Sequence, residues 1–405
     1  MTKTLFLSVG EPSGDHHTAK LIEQLRRRDG RLRFRGFGGP AMQQSGCHLD
    51  HDLTQMAVVG LVEVLPKLRE FFRLADAAED VFRSGAVDGV LLVDFPGFNW
   101  HIAKRAKRYG LPVHYYLPPQ LWAWGGWRVR KMRRSVDHVL SVLKLEQQWY
   151  DDHGVPNSYV GHPFFDAVAE QPLDHVLLDR LQDRCAAGDR LVAVLPGSRN
   201  HEVKRNFPLM LAAIRRLARK HPDTRFLVAA FKDAHGLWCR SQMTAEDRRL
   251  PIDLYVGKTS EIIEASRCAM MVSGSVSLEM LARGTPAAVI YRVGRILHTY
   301  ARMMVKVDSI TLVNLMAKRT IFPEMVSVGR PEPAIQFLSD SVEAMLQDEF
   351  YYQTLLTQME ELRAEQGSPG GIVRAADELL NQLGWSEAAI QPGHRSLEER
   401  RRMAA

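Results

Sequence analysis

Short apolar runs alternate with longer amphipathic segments along most of this chain. In the first half, the runs at residues 4–9, 33–37, 89–93, 113–117 and 139–142 predict strands. Segments 15–28, 65–82, 99–108 and 145–153 carry helical spacing between them. Gly30, Gly85, Gly110 and Gly154 stand where helix C-terminal caps belong. The second half repeats the scheme, with strands expected at 191–195, 226–230, 253–256, 269–272 and 287–291 and helices at 207–220 and 277–283. Strands that alternate with helices imply parallel sheets covered on both faces. The fold class is therefore α/β, with two successive Rossmann-like, doubly wound domains. Such domains would present the carboxyl ends of their strands, where ligands bind, across a cleft. The join is expected between Gly161 and Asp189, where Pro163 and Pro172 punctuate the pattern. The domains are drawn at 1–165 and 166–345. Past Pro323 the pattern reads as all-helical to Leu383, and the helices of 346–385 are expected to pack back on an N-terminal domain. Residues 386–405 read as a polar tail.

A length of 405 residues suits two domains of roughly 170–200 residues each. Cys47, Cys185, Cys239 and Cys268 are scattered, with no Cys-x-x-Cys, which predicts reduced thiols in a cytosolic protein without structural zinc. The apolar start is too short for a signal peptide, and no run approaches the roughly 18 apolar residues of a membrane-spanning helix. A net charge of +6 is modest, but its distribution is uneven. Between Asp94 and Asp137 there is no carboxylate. That interval holds Lys104, Arg105, Lys107, Arg108, Arg128, Arg130, Lys131, Arg133 and Arg134 together with Trp100, Trp122, Trp124 and Trp127. Cations beside interfacial aromatics suit an anionic partner: lipid headgroups, phosphorylated substrates or nucleic acid. The alternative is a pair of solvated helix faces with the tryptophans in the core.

Two loops carry the chemistry. Leu195-Pro196-Gly197-Ser198-Arg199 and Ser273-Gly274-Ser275-Val276-Ser277-Leu278-Glu279 each follow an expected strand and lead into a helical pattern. Small-residue loops of this kind expose N–H groups at the positive end of a helix dipole, where phosphates bind. Arg199 adds a forked cation, and Glu279 is placed to accept hydrogen bonds from sugar hydroxyls. A diphosphate and a sugar on one ligand make a nucleotide sugar, so the pair points to a glycosyltransferase. Either loop alone reads rather as an ordinary strand–helix turn; the two together, with Arg199 and Glu279 so placed, favour the nucleotide sugar. The first loop, Gly10-Glu11-Pro12-Ser13-Gly14-Asp15, is not Gly-x-Gly-x-x-Gly, and no P-loop motif occurs. Its acidic residues would repel a phosphate and suit a hydroxyl-rich or amine-bearing acceptor.

With these residues in view, the chain resembles the lipid A disaccharide synthases, transferases of GT-B architecture. The resemblance runs through nearly the whole chain. It is carried by Gly10-Glu11-x-Ser13-Gly14-Asp15, Gly36-Phe37-Gly38-Gly39-Pro40-x-Met42, Val59-Gly60-Leu61-Val62-Glu63-Val64-Leu65 and Asp94-Phe95-Pro96-Gly97-Phe98-Asn99. Pro119-Gln120-Leu121-Trp122-Ala123-Trp124, Gly161-His162-Pro163, the Arg199 loop with Glu202, the Ser273–Glu279 loop and Asn314-Leu315 continue it. Ser275 and Ser277 stand where the family usually has threonines.

The resemblance implies transfer of 2,3-diacylglucosamine, with inversion, from UDP-2,3-diacylglucosamine to 2,3-diacylglucosamine 1-phosphate. The products would be UDP and a β-1,6-linked disaccharide 1-phosphate in lipid A biosynthesis. It implies Asp94 as the leading candidate for the base that takes the acceptor proton, with Glu11 competing. Ser13, Gly14, Asp15 and Asn99 fall on the acceptor side, Asp15 also as a cap of the first helix; His16 and His17 read as structural. Gly197, Ser198, Arg199, Ser273, Gly274, Ser275, Ser277, Glu279 (toward a ribose) and Asn314 (toward the nucleotide) fall on the donor side, with Glu202 supporting the Arg199 loop. No Asp-x-Asp stands in a suitable loop, so no metal and no cofactor are expected. Acylated substrates and the basic aromatic interval predict peripheral association of a cytoplasmic protein with the anionic inner face of the inner membrane. Residues 58–72 would be either an interfacial helix or a core-packed one. Family members can form swapped homodimers. A UDP-sugar epimerase would share the donor loops without needing the acidic first loop. A nucleic-acid-binding protein would use the basic interval but not the Arg199 and Glu279 loops, and nucleic acid is not an expected partner.

Overall fold

The computed structural model describes residues 2–56, 68–295, 307 and 309–385. The chain divides into two units, Met1–Asp166 with Pro369–Ala405, and Ala167–Ser368. In the first, seven strands form a sheet in the order β3-β2-β1-β4-β5-β6-β7. They are β1 (Thr4–Val9), β2 (Arg33–Gly38), β3 (His48–Asp52), β4 (Gly89–Val93), β5 (Val113–Tyr116), β6 (His138–Ser141) and β7 (Asn157–Tyr159). All their pairings are parallel. In the second, six strands run in the order β10-β9-β8-β11-β12-β13. These are β8 (Arg190–Leu195), β9 (Thr224–Ala230), β10 (Ile252–Val256), β11 (Cys268–Val272), β12 (Ala287–Val293) and β13 (Glu324–Val328), again all parallel.

The central strands are those that the apolar runs predict, because only a strand covered on both faces needs an uninterrupted apolar sequence. β4 and β11 are buried along their whole length. The three strands without that signal, β3, β7 and β13, lie at sheet edges, where half-exposed polar residues suffice. β13 corrects the all-helical expectation for the region after Pro323. Gly85, Gly110 and Gly154 adopt positive φ of 70°, 71° and 60° after their helices, whereas the helix Pro12–Arg28 ends on an extended Asp29 without needing Gly30.

The helical end is shared between the units. Glu332–Gln347 and Glu349–Gln366 belong to the second unit. The last helix, Gly371–Leu383, packs on Pro12–Arg28 in the first. Asp166 caps its start by accepting the N–H groups of Gly370 and Gly371 at 2.8 and 3.0 Å. Arg374 donates to the Val160 carbonyl at 2.8 Å, and Ser158 donates to Glu378 at 2.7 Å. No helix among the described residues is long and apolar enough to cross a membrane.

Candidate active site

In each sheet the strand order reverses once, between β1 and β4 and between β8 and β11, and the expected loops emerge at these two switch points. Register does the placing. Val9 pairs with Val93, so Gly10 and Asp94 leave the first sheet side by side. Met271 pairs with Leu195, which sets the Ser273 loop beside the Arg199 loop.

Asp94 sits on strained backbone. It and Phe95 have φ of 45° and 42°, a region that non-glycine residues occupy at a cost of about 1–3 kcal/mol each. The Asp94 carbonyl is held by the Tyr115 hydroxyl at 2.5 Å and by Asn99 Nδ2 at 2.8 Å. Asn99 is itself buried, accepting from Ser8 Oγ at 2.6 Å and donating to Val93 O at 3.0 Å. Asn99 therefore fixes the turn that aims Asp94. The carboxyl accepts the Gly10 N–H at 3.2 Å through Oδ1, while Oδ2 is buried without a protein partner. Burial, helped by the nearby Glu11 charge and opposed by the Gly10 and Glu11 N–H groups, pushes this carboxyl up to about 8. Gly14 is required here, since a Cβ would stand 1.8 Å from Asp94 Oδ2. Glu11, at the N-cap of Pro12–Arg28, and Ser13, in its first turn, are both exposed.

Asp15 is buried, and its carboxylate accepts the N–H groups of Gly39, Ala41 and Met42 at 2.9, 2.9 and 3.1 Å. It caps the second helix, Pro40–Gln44, and not the first as the sequence suggested, because its side chain points across to the end of β2. His17 is mostly buried and held down to about 4 by that burial, in keeping with a structural role.

In the second unit, Gly197 has φ of 121°, and a Cβ there would lie 2.6 Å from Glu202 Cβ. The bare backbone lets Glu202 fold over the loop. Its Oε2 accepts the N–H groups of Ser198 and Arg199, both at 3.1 Å, and its Oε1 takes Arg199 Nη1 at 3.0 Å. Glu202 thus supports the Arg199 loop as expected, but it occupies two N–H groups expected to cradle a phosphate. The Arg199 side chain remains 62% exposed, so its guanidinium carries the anion-binding capacity of this loop.

The second loop is more open. Gly274 and Ser275 are exposed before the helix Val276–Arg283. Ser273 Oγ donates to Ile310 O and Ser277 Oγ to Gly274 O, at 2.6 and 2.8 Å, so both hydroxyls shape the loop. Glu279 is buried and accepts Ser260 Oγ at 2.6 Å and Arg283 Nε at 3.0 Å, both on Oε1. Asn314, expected toward the nucleotide, has its side chain engaged within the protein. It is buried, donates to Phe322 O at 2.8 Å and accepts from Ile321 and Phe322 at 2.8 and 2.9 Å. A side-chain amide so fully engaged fixes a turn.

The basic interval is half neutralised. Arg105 pairs with Asp76 and Glu79 and Arg108 with Glu79, because Leu68–Arg83 packs its acids beside Pro96–Arg108, while Lys107 pairs with Asp137 just before β6. The second half keeps its cations outward: Arg130, Lys131 and Arg134 are exposed. Trp124 and Trp127 are 46% and 68% exposed, with the Arg128 guanidinium 4.1 Å above the Trp124 ring. The stretch expected as an interfacial or core helix, 58–72, lies mostly outside the described residues. Its described end includes an exposed Phe72 against His101.

Two contributors were missed. Tyr115 sits in an apolar run and has no local signal for its bond to Asp94. Glu146 is fully buried in the first turn of Lys144–Asp152, where it accepts the Val142 N–H at 3.1 Å, and burial pushes it up to about 8. A carboxylate three residues into a helix after a strand is the readable capping signal there.

Two doubly wound parallel units with their loops at the switch points are the GT-B architecture. Solved structures with this fold include a UDP co-structure of MnaA from S. aureus (TM-score 0.63, 13% identity, 95% of this chain and 98% of that one). MurG from Acinetobacter baumannii is also similar (TM-score 0.59, 12% identity, 94% and 99% covered). At these identities the likeness shows the fold. A family model described as Lipid-A-disaccharide synthetase matches residues 5–362. The lipid-A-disaccharide synthase of Anaeromyxobacter dehalogenans (strain 2CP-1 / ATCC BAA-258) is 33% identical over 95% of this chain and 98% of its own. That of Syntrophus aciditrophicus (strain SB) is 35% identical over 93% and 96%. The chain belongs to the lipid-A-disaccharide synthetase family and is a glycosyltransferase of lipid A biosynthesis.

Proposed function

We propose that this glycosyltransferase performs the inverting transfer with Asp94 as general base. The acceptor is 2,3-diacylglucosamine 1-phosphate and the donor UDP-2,3-diacylglucosamine. Asp94 takes the proton of the acceptor hydroxyl as that oxygen attacks the anomeric carbon of the donor. The bond from that carbon to the diphosphate breaks with its electron pair, and UDP leaves. The Arg199 guanidinium and the N-terminus of Val276–Arg283 stabilise the charge on the departing diphosphate. Ser13 and the Glu11 loop line the acceptor side; Gly14, Asp15 and Asn99 hold that loop and Asp94 in shape. Gly197, Glu202 and Asn314 position the donor loops, and Glu279 meets the ribose.

The observation that carries this reading is the Asp94 carboxyl. It stands at a switch point on strained, braced backbone, with one buried oxygen that the protein leaves unpaired. Exposed Trp124 and Trp127 among outward cations support a second element: peripheral binding of a cytoplasmic protein to the anionic inner face of the inner membrane.

Incubation of the purified protein with both acylated glucosamines, read by mass spectrometry, tests the reaction; the disaccharide 1-phosphate and UDP should accumulate together. Conversion of the donor to an isomer without a disaccharide would favour an epimerase instead. Charge stabilisation by Arg199 and a helix terminus predicts that EDTA leaves the rate intact. Loss in EDTA with recovery in magnesium would reveal a metal site.

A further inference from the structure

A second cationic feature at the carboxyl end of the second sheet is not used by the transfer described above. Arg205, Arg292, Val293, Gly294, Arg295 and Gly329 line a pocket of about 310 Å³. They come from three elements. Arg205 lies in the second turn of Asn200–Lys220, Arg292 to Arg295 end β12 and begin the segment after it, and Gly329 follows β13.

The arginine at the centre is held in place. Arg292 donates to Ser327 Oγ at 3.3 Å through Nη1 and to Gly329 O at 2.9 Å through Nη2. These bonds use two of its five N–H donors and fix the plane of the guanidinium fork. None of the six lining residues is acidic. Arg205 and Arg292 in one pocket repel each other, and an anion with several acceptor oxygens removes that repulsion while satisfying their remaining donors. Phosphate matches the guanidinium fork in geometry.

The pocket is separate from the Arg199 loop. Arg205 follows Arg199 by six positions, about 9 Å of helix rise. β12 is two strands from β8, about 10 Å across the sheet. β12 also neighbours β11, whose Ser273 loop belongs to the donor side, so saturation with UDP is what distinguishes this pocket from the donor site.

We propose that the pocket of Arg205 and Arg292 binds a phosphate monoester at a site of its own. Two sources carry that chemistry: the 1-phosphate of a sugar acceptor, or free phosphate in solution. Only the first source rests on the transfer reading given above.

The test uses the full chain with UDP at saturation, so that the diphosphate loop is filled, and follows the melting temperature as inorganic phosphate is added. Phosphate should raise the wild-type melting temperature beyond the UDP-bound value. Arg205→Ala, an exposed position that leaves the β12–β13 bonds intact, and Arg292→Gln should both lose this increment and keep the UDP increment. Absence of a phosphate increment in the wild type, or its retention in both variants, overturns the proposal. Kinetics then separate the sources. If the site takes the acceptor phosphate, Arg205→Ala raises KM for the phosphorylated acceptor roughly 10- to 100-fold, the cost of one charge-assisted contact, with donor KM unchanged. An acceptor without its phosphate should then show no difference between variant and wild type. If the site takes free phosphate, acceptor KM is the same in both proteins and only the phosphate increment is lost. The melting arm needs no turnover, so failure of the transfer reading leaves it interpretable.

Discussion

As the proposed base, Asp94 offers the sharpest test through its protonation. Its pKa of about 8 in the folded chain exceeds the ordinary 3.8. Between those values the folded chain holds a proton that the unfolded chain has released, so this group makes stability fall as pH rises from about 4 to about 8. The base form accumulates in the opposite sense, and kcat/KM should rise with pH through about 8. Asp94→Asn should lower the rate about 10²–10⁴-fold while raising the melting temperature at pH 8. A nearly intact rate would reduce Asp94 to a turn residue and make Glu11 the base. In the reading favoured here, Glu11→Gln removes a charge that raises Asp94. The rising limb of its pH profile should then move to lower pH, with much smaller loss of maximal rate.

Short loops act as units because each is closed by one carboxylate. Glu202 takes two N–H groups and a guanidinium edge of the Arg199 loop, and Asp15 takes three N–H groups at Pro40–Gln44. Arg199→Ala should weaken UDP binding by about 2–3 kcal/mol, the value of a hydrogen-bonded charge. Titration calorimetry reads this directly, and unchanged affinity would remove Arg199 from the donor site. Gly197→Ala tests the support: its positive φ and the close Glu202 Cβ should displace the loop, weakening UDP while Arg199 is still present. Asp15→Asn should cost about 1–2 kcal/mol in a urea melt, through the cap alone.

At the scale of the molecule, the first unit is completed by the chain's last described helix. A chain ending at Ser368 lacks the helix that covers Pro12–Arg28 and the cap made by Asp166. It should lose the melting transition of the first unit while the second unit still binds UDP; a single unchanged transition would show that the helix is dispensable. The cationic aromatic face predicts sedimentation with anionic liposomes at low salt. Each basic residue near the surface contributes about 1 kcal/mol, screened within about 10 Å at 0.1 M salt. Salt should release the protein, and Trp127→Ala should weaken binding at every salt concentration. Equal binding to neutral vesicles would rule out the electrostatic contribution.

Apolar runs in the sequence were enough to read the central strands, the two-unit α/β plan and the loops at the strand ends. Those signals are local: a buried strand needs continuous apolar residues, and a strand–helix loop needs small residues and a cap. Glu202 was legible for the same reason, three residues from the backbone it holds. Of the four edge strands only β10 was read; β3, β7 and β13 were not, because their short, polar-interrupted sequences lack a continuous apolar run. Contacts between distant residues were also out of reach. Asp15 reaches 24 residues ahead to Gly39 and thereby caps another helix. Arg105, Lys107 and Arg108 look like a free basic face until Asp76, Glu79 and Asp137 are packed against them. The sequence determined that an aspartate follows a buried strand. Only the tertiary structure, by setting Asp94 under the Gly10 loop with Tyr115 and Asn99 behind it, decided that its carboxyl is desolvated and therefore basic.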